Sequence, residues 1–280
     1  MLERRVHADE ETYVGRSRET TGEELRRRGE ASEMTERNFE TTELNSEAAR
    51  RDGGTTASDF TLRAETKLYY DLFTPAEMPA PLLVALHGYG SSKQWMMREA
   101  RHHAPVGFAV AALQGPHQHI KEPREPGGPL RYGFGWLTNF RPEDSVALHH
   151  SALLSLIDSL VERGVARREQ VFLLGFSQSC ALNYRFAFTH ARALRGVVGI
   201  CGGLPGDWET NATYTETRAS VLHLAGARDE FYPPARVADY AERLRTRSRD
   251  VEFREYDAAH EFIPAMRDDV RAWLAARAGG

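Results

Sequence analysis

The chain has 280 residues, 41% hydrophobic and 27% charged, enough apolar content for one large α/β domain or two smaller ones. Its formal net charge of -4 gives no electrostatic reason to expect nucleic acid or an anionic membrane as a partner. Two cysteines, Cys180 and Cys201, do not make a disulfide framework and read as core thiols, and no apolar run reaches the roughly 18 residues of a membrane-spanning helix.

Residues 1–57 are rich in Glu, Arg, Thr and Ser, with Tyr13 and Phe39 their only aromatics. So little apolar surface does not offset the entropy of ordering, and the segment reads as a disordered or weakly helical charged extension. No apolar segment follows the first basic residues, so no secretory leader is expected and the cytoplasm is the simplest compartment. The globular part is expected over residues 58–280. Phe60-Thr61-Leu62-Arg63 and residues 67–73 read as two strands. Leu82-Leu83-Val84-Ala85-Leu86 is a continuous apolar strand of the kind buried on both faces of a parallel sheet. It runs straight into a glycine-rich loop, His87-Gly88-Tyr89-Gly90.

Residues 94–103 read as a helix and 107–113 as another buried strand. The Pro- and Gly-rich residues 115–144 read as a long irregular loop, and loops of that length inside a domain are usually functional. Its Phe134 and Trp136 are candidates to line a substrate pocket. His117 and His119 have the spacing of a metal pair, but no matching ligand set accompanies them, and no metal is expected. Residues 145–163 read as a helix closed by Gly164. Val171-Phe172-Leu173-Leu174 is a buried strand that enters Gly175-Phe176-Ser177-Gln178-Ser179, and a helix follows over residues 181–190. Further strands are read over residues 194–201, 220–226 and 251–256. Pro233 and Pro234 open one helix, and Ile263, Met266, Val270, Trp273 and Leu274 share one face of the last. This alternation implies a mostly parallel sheet with helices on both faces.

A strand, a sharp turn carrying Ser177 and a helix form the pattern of a nucleophile elbow. A serine hydroxyl is a weak nucleophile that needs a base within hydrogen-bond reach, and the base needs an orienting carboxylate. Ser177, Asp229 and His260 each follow a predicted strand directly, in the chain order that this elbow uses. Glu230 and Asp257 stand as alternative acids, Asp257 only three residues before His260. Tyr89, by its place in the loop, and Gln178, the residue after the serine, are the expected backbone donors of an oxyanion hole. His87 is read as structural.

Together, Leu86-His87-Gly88-Tyr89-Gly90, Gly175-Phe176-Ser177-Gln178-Ser179, Ala225-Gly226-Ala227-Arg228-Asp229 with Pro233, and residues 256–260 resemble the phospholipase/carboxylesterase family of α/β-hydrolases. That family includes acyl-protein thioesterases and bacterial carboxylesterases. The resemblance spans residues 80–275. Ser179 departs from it by standing where the family has a second glycine. Glu230-Phe231-Tyr232 replaces a small or β-branched run, which makes Phe231 a third pocket candidate. The resemblance implies an α/β-hydrolase fold and cofactor-free hydrolysis of a small-molecule ester or thioester, of carboxylesterase, lysophospholipase or acyl-thioesterase type; the sequence leaves a monomer and a homodimer equally open. A non-catalytic scaffold that binds a small molecule, and a small-peptide hydrolase of the same fold, are the alternatives.

Overall fold

The computed structural model describes residues 57–279. The chain divides between Ala64 and Glu65, and the second unit carries the α/β architecture. Apart from residue 57, the charged extension expected at the N-terminus lies outside the described residues.

Strand β2 (Ala80–Leu86) shows why its sequence is so uniformly apolar. Side chains alternate across a strand. Leu82, Val84 and Leu86 enter one core, while Leu83 and Ala85 enter a second core on the opposite face of the sheet. Both faces are covered, so no position is free to be polar. The same holds for β3 (Ala109–Leu113), for the second half of β6 (Ala166–Phe176), and for β7 (Gly196–Ile200). With β1 (Tyr70–Phe73), β8 (Ser220–Gly226) and β9 (Val251–Tyr256) they form a seven-stranded sheet of order β1-β3-β2-β6-β7-β8-β9. Only β1 is antiparallel to its neighbour; all other pairs are parallel.

The helices divide between the faces according to their apolar stripes. Helix α1 (Lys93–His103) contributes Met96 and Ala100 to one core. The last helix shares that core through Met266, Val270, Trp273 and Leu274. The opposite core receives Leu153, Leu156, Ile157 and Leu160 of α2 (Pro142–Glu162) and Leu182, Tyr184 and Phe186 of α3 (Gln178–Thr189). Two short helices, α4 (Pro234–Val237) and α5 (Tyr240–Arg245), add Val237, Tyr240 and Leu244, and α6 (Pro264–Ala278) closes the chain. Each such leucine or isoleucine contributes on the order of 1.5–3 kcal/mol by leaving water. Ser92 caps α1 by accepting the Trp95 N–H at 3.4 Å, and Gly164, at φ 68°, ends the turn after α2.

Three expectations need correction. Residues 57–69 hold no strand, so Phe60-Thr61-Leu62-Arg63 is irregular. The ladder ends close by: Tyr70 pairs with Leu113, the last residue of β3, and the Gln114 N–H donates to the Tyr69 carbonyl at 2.8 Å, the last backbone bond on that side among the described residues. The stretch 115–144 is not an irregular loop throughout. It contains an antiparallel hairpin of β4 (His117–Lys121) and β5 (Arg131–Gly135). Its alternation of half-buried His117, His119 and Lys121 with exposed Gln118 and Ile120 carries no apolar period to read. The helix expected from Ser145 starts at Pro142, whose missing N–H is no loss in a first turn. No helix among the described residues is long and apolar enough to cross a membrane.

Candidate active site

Strand β6 delivers its last residue, Phe176, directly to Ser177, and α3 starts at the next residue. Ser177 has φ 57° and ψ -118°, a conformation that strains a residue with a Cβ by about 1–3 kcal/mol. The surroundings over-determine it. The Ser177 N–H donates to the Ile200 carbonyl at 3.0 Å, and its own carbonyl accepts the Cys180 N–H at 3.0 Å. Gly175 lets strand and helix close together: a Cβ there would lie 2.8 Å from Nδ2 of Asn183 and 3.2 Å from the Cys180 backbone. Ser179, the departure from the family pattern, supplies a clasp that glycine lacks. Its buried Oγ accepts the Phe176 N–H at 3.0 Å and donates to the Leu86 carbonyl at 2.8 Å, tying the turn to β2.

Asp229 leaves the end of β8 and is 2% exposed. Its Oδ1 accepts the N–H groups of Phe231 and Tyr232, each at 2.9 Å. Its Oδ2 accepts Nδ1–H of His260, also at 2.9 Å. A carboxylate only accepts, so in the neutral imidazole the proton sits on Nδ1 and Nε2 keeps the lone pair. The imidazole is held between rings: Phe176 at 4.8 Å, Phe231 edge-on at 4.9 Å, and Tyr232 stacked at 6.0 Å. The alternative acids are placed elsewhere. Asp257 is exposed and bound by Arg228 at 2.6 Å, and Glu230 points to solvent. Oγ of Ser177 makes no hydrogen bond to another described residue, Nε2 of His260 included.

The glycine-rich loop after β2 is clamped from above by the hairpin. Gly90 N–H donates to the Phe134 carbonyl at 2.9 Å, Phe134 N–H to the Ser91 carbonyl at 3.1 Å, and Nζ of Lys121 to the Gly90 carbonyl at 3.0 Å. The ring of His119 stacks on Tyr89 at 4.4 Å, and His117 bonds Oγ of Ser145 at 3.1 Å. The amide N–H groups of Tyr89 and Gln178 donate to no acceptor among the described residues, while the Tyr89 side chain is 64% exposed. His87 is fully buried. Its Nε2 accepts the Gly115 N–H at 3.0 Å and its Nδ1–H donates to the Gly88 carbonyl at 2.7 Å. Burial lowers its pKa to about 4, so it stays neutral and braces the loop.

Of the three pocket candidates, Phe134 is half-buried in the hairpin and Phe231 is 55% exposed beside His260. Trp136 is a correction: at 1% exposure it belongs to the core. Its Nε1–H donates to the His87 carbonyl at 2.8 Å, and its backbone N–H to Oε1 of Gln178 at 2.9 Å. A buried indole needs an acceptor for its N–H, and the loop backbone provides it. Lys121, His119 and the Gln178 side chain were not singled out as parts of the site. For His119 and Lys121 the one available signal is their alternation along β4; nothing in the sequence marks the Gln178 side chain.

Comparison with known proteins bears on this arrangement. The model of the phospholipase/carboxylesterase family matches residues 70–277. NocK of Nocardia uniformis subsp. tsuyamanensis, whose name designates it a candidate esterase, is 26% identical over 162 residues. That match covers 55% of this chain, and the chain spans only 43% of the length of that relative. A carboxylesterase from Mesorhizobium loti superposes with a TM-score of 0.60 at 22% identity, over 74% of this chain and 94% of that one. The Bacillus cereus carboxylesterase does so with a TM-score of 0.60 at 15% identity, over 75% and 94%. At such identities the structures establish a shared fold, and the family match covers most of the chain, from β1 into α6. The chain therefore belongs to the phospholipase/carboxylesterase family of α/β-hydrolases.

Proposed function

We propose that this chain is a serine hydrolase that cleaves small carboxylic esters or thioesters through an acyl-enzyme on Ser177. The observation that carries the reading is the bond from Nδ1 of His260 to buried Asp229, at the same sheet edge as a serine held at positive φ. In this mechanism Nε2 of His260 takes the proton of Ser177 as Oγ attacks the acyl carbonyl. Asp229 holds the tautomer and stabilises the imidazolium. The free N–H groups of Tyr89 and Gln178 receive the oxyanion, each worth about 3 kcal/mol at the transition state. The leaving alcohol or thiol takes the proton from His260, and water then repeats the attack on the acyl-enzyme. Phe231 and Phe134 border the acyl or leaving-group side. Nothing in this cycle calls for a cofactor.

The open link between Ser177 and His260 favours one other reading, a scaffold that binds a small molecule without turnover. Catalytic hydrogen bonds in free enzymes are often long and tighten with substrate, so the open link does not outweigh the rest. A fluorophosphonate probe separates the two: stoichiometric labelling that Ser177→Ala abolishes is expected, and an unlabelled folded protein would sink the proposal. A p-nitrophenyl ester panel of graded chain length, run beside acyl-thioesters, then reads the substrate class. Ser177→Ala should lose turnover on every member of the panel.

A further inference from the structure

Cys201 follows β7 at φ 48°, a conformation that favours glycine, and its side chain is buried against the acid and the imidazole. Its Sγ, a carboxylate oxygen of Asp229 and a ring nitrogen of His260 all lie within 4.8 Å of one another. Cys201 and Asp229 are buried, and His260, with 14% of its side chain exposed, is the one of the three that touches solvent. They come from the C-terminal ends of β7, β8 and the segment after β9, three neighbours in the sheet.

From this juxtaposition we propose that Cys201, Asp229 and His260 form an inhibitory site for a thiophilic divalent cation such as Zn2+ or Cd2+. One sulfur, one carboxylate oxygen and one imidazole nitrogen match the ligand preferences of these ions. Zn2+ bonds at about 2.0–2.3 Å, which places tetrahedral ligands roughly 3.3–3.8 Å apart. Three donors within 4.8 Å reach that spacing by side-chain adjustments of about 1 Å. Without a cation the buried thiol stays protonated, its pKa pushed up to about 12 by burial and the neighbouring Asp229. On binding, the S–H bond breaks, sulfur keeps the electron pair for the metal, and the proton goes to solvent. No oxidation state changes.

Coordination also withdraws the imidazole from catalysis. Bound through Nε2, it has no lone pair for Ser177. Bound through Nδ1, it loses the Asp229 hydrogen bond and carries its proton on Nε2. This consequence rests on His260 as the base, whereas the cation site itself does not.

The test titrates Cd2+ into the full chain and follows the ultraviolet sulfur-to-metal charge-transfer band together with esterase turnover. The chain has only two thiols, so Cys201→Ser isolates the one that matters. The wild type is expected to show a saturable band of one cation per chain and a parallel loss of turnover, both reversed by a chelator. Cys201→Ser should keep its turnover in metal-free buffer, lack the band, and need about 100-fold more cation for equal inhibition. No band in the wild type, or equal band and inhibition in Cys201→Ser, overturns the site. A band that depends on Cys201 with unchanged turnover would uphold the site and count against His260 as base, so the two readings fail separately.

Discussion

Asp229 does more than face an imidazole. Two backbone N–H groups fix one of its oxygens, which leaves the other a single direction in which to accept Nδ1–H of His260. Asp229→Asn can keep the backbone bonds yet presents an amide N–H to Nδ1. The imidazole must then turn over its tautomer, and kcat should fall about 10^4-fold with the fold intact. Steady-state kinetics beside circular dichroism checks this. Asp257→Ala makes the matching control. Its carboxylate is exposed and, among the described residues, pairs with Arg228 alone, so stability should change by less than about 1 kcal/mol and turnover should be unaltered. A large activity loss there would restore Asp257 as the acid. Sequence alone left the two open because both lie in loops after strands; what separates them is which loop turns its carboxylate inward.

At the scale of elements, the elbow and the glycine-rich loop are held by different devices. The elbow is braced by Ser179, which serves the Phe176 N–H and the Leu86 carbonyl at once. Ser179→Ala leaves both buried groups without that partner and should cost about 1–3 kcal/mol, measured as a shift of the urea midpoint at constant slope. A neutral result would mean that Ser179 serves the turn by its small size alone and that the clasp contributes nothing. The loop is braced by the β4–β5 hairpin through Phe134, Lys121 and Trp136. The buried strands were readable from their apolar runs, since burial on both faces leaves no alternative composition. The hairpin was not, because the half-buried positions of β4 are histidine and lysine and its partner is a loop rather than a core.

For the whole molecule, the buried histidines set the response to acid. Burial lowers His87, His103, His150 and His223 to about 4 and His149 to about 3, from the ordinary 6.5. For each, the folded protein stays neutral while the unfolded chain takes up a proton below pH 6.5. Stability is therefore full above that value and falls as the pH drops towards 4, by up to about 1.4 kcal/mol per unit for each group. Urea midpoints at pH 7 and pH 5 should differ, with the lower at pH 5. His149→Phe, which removes one such group, should narrow the gap; equal midpoints at the two values would contradict the account. By itself the sequence determined the alternation of strands and helices, the order Ser177, Asp229, His260, and the family. Those features follow from burial on both sheet faces and from turn chemistry, and both are local. Only the tertiary structure decided that Asp229 rather than Asp257 meets His260, that Trp136 is buried, that Ser179 is a clasp, and that Cys201 lies against the acid and the imidazole. Each of these depends on a partner brought near through space, and residue spacing along a chain carries no record of that direction.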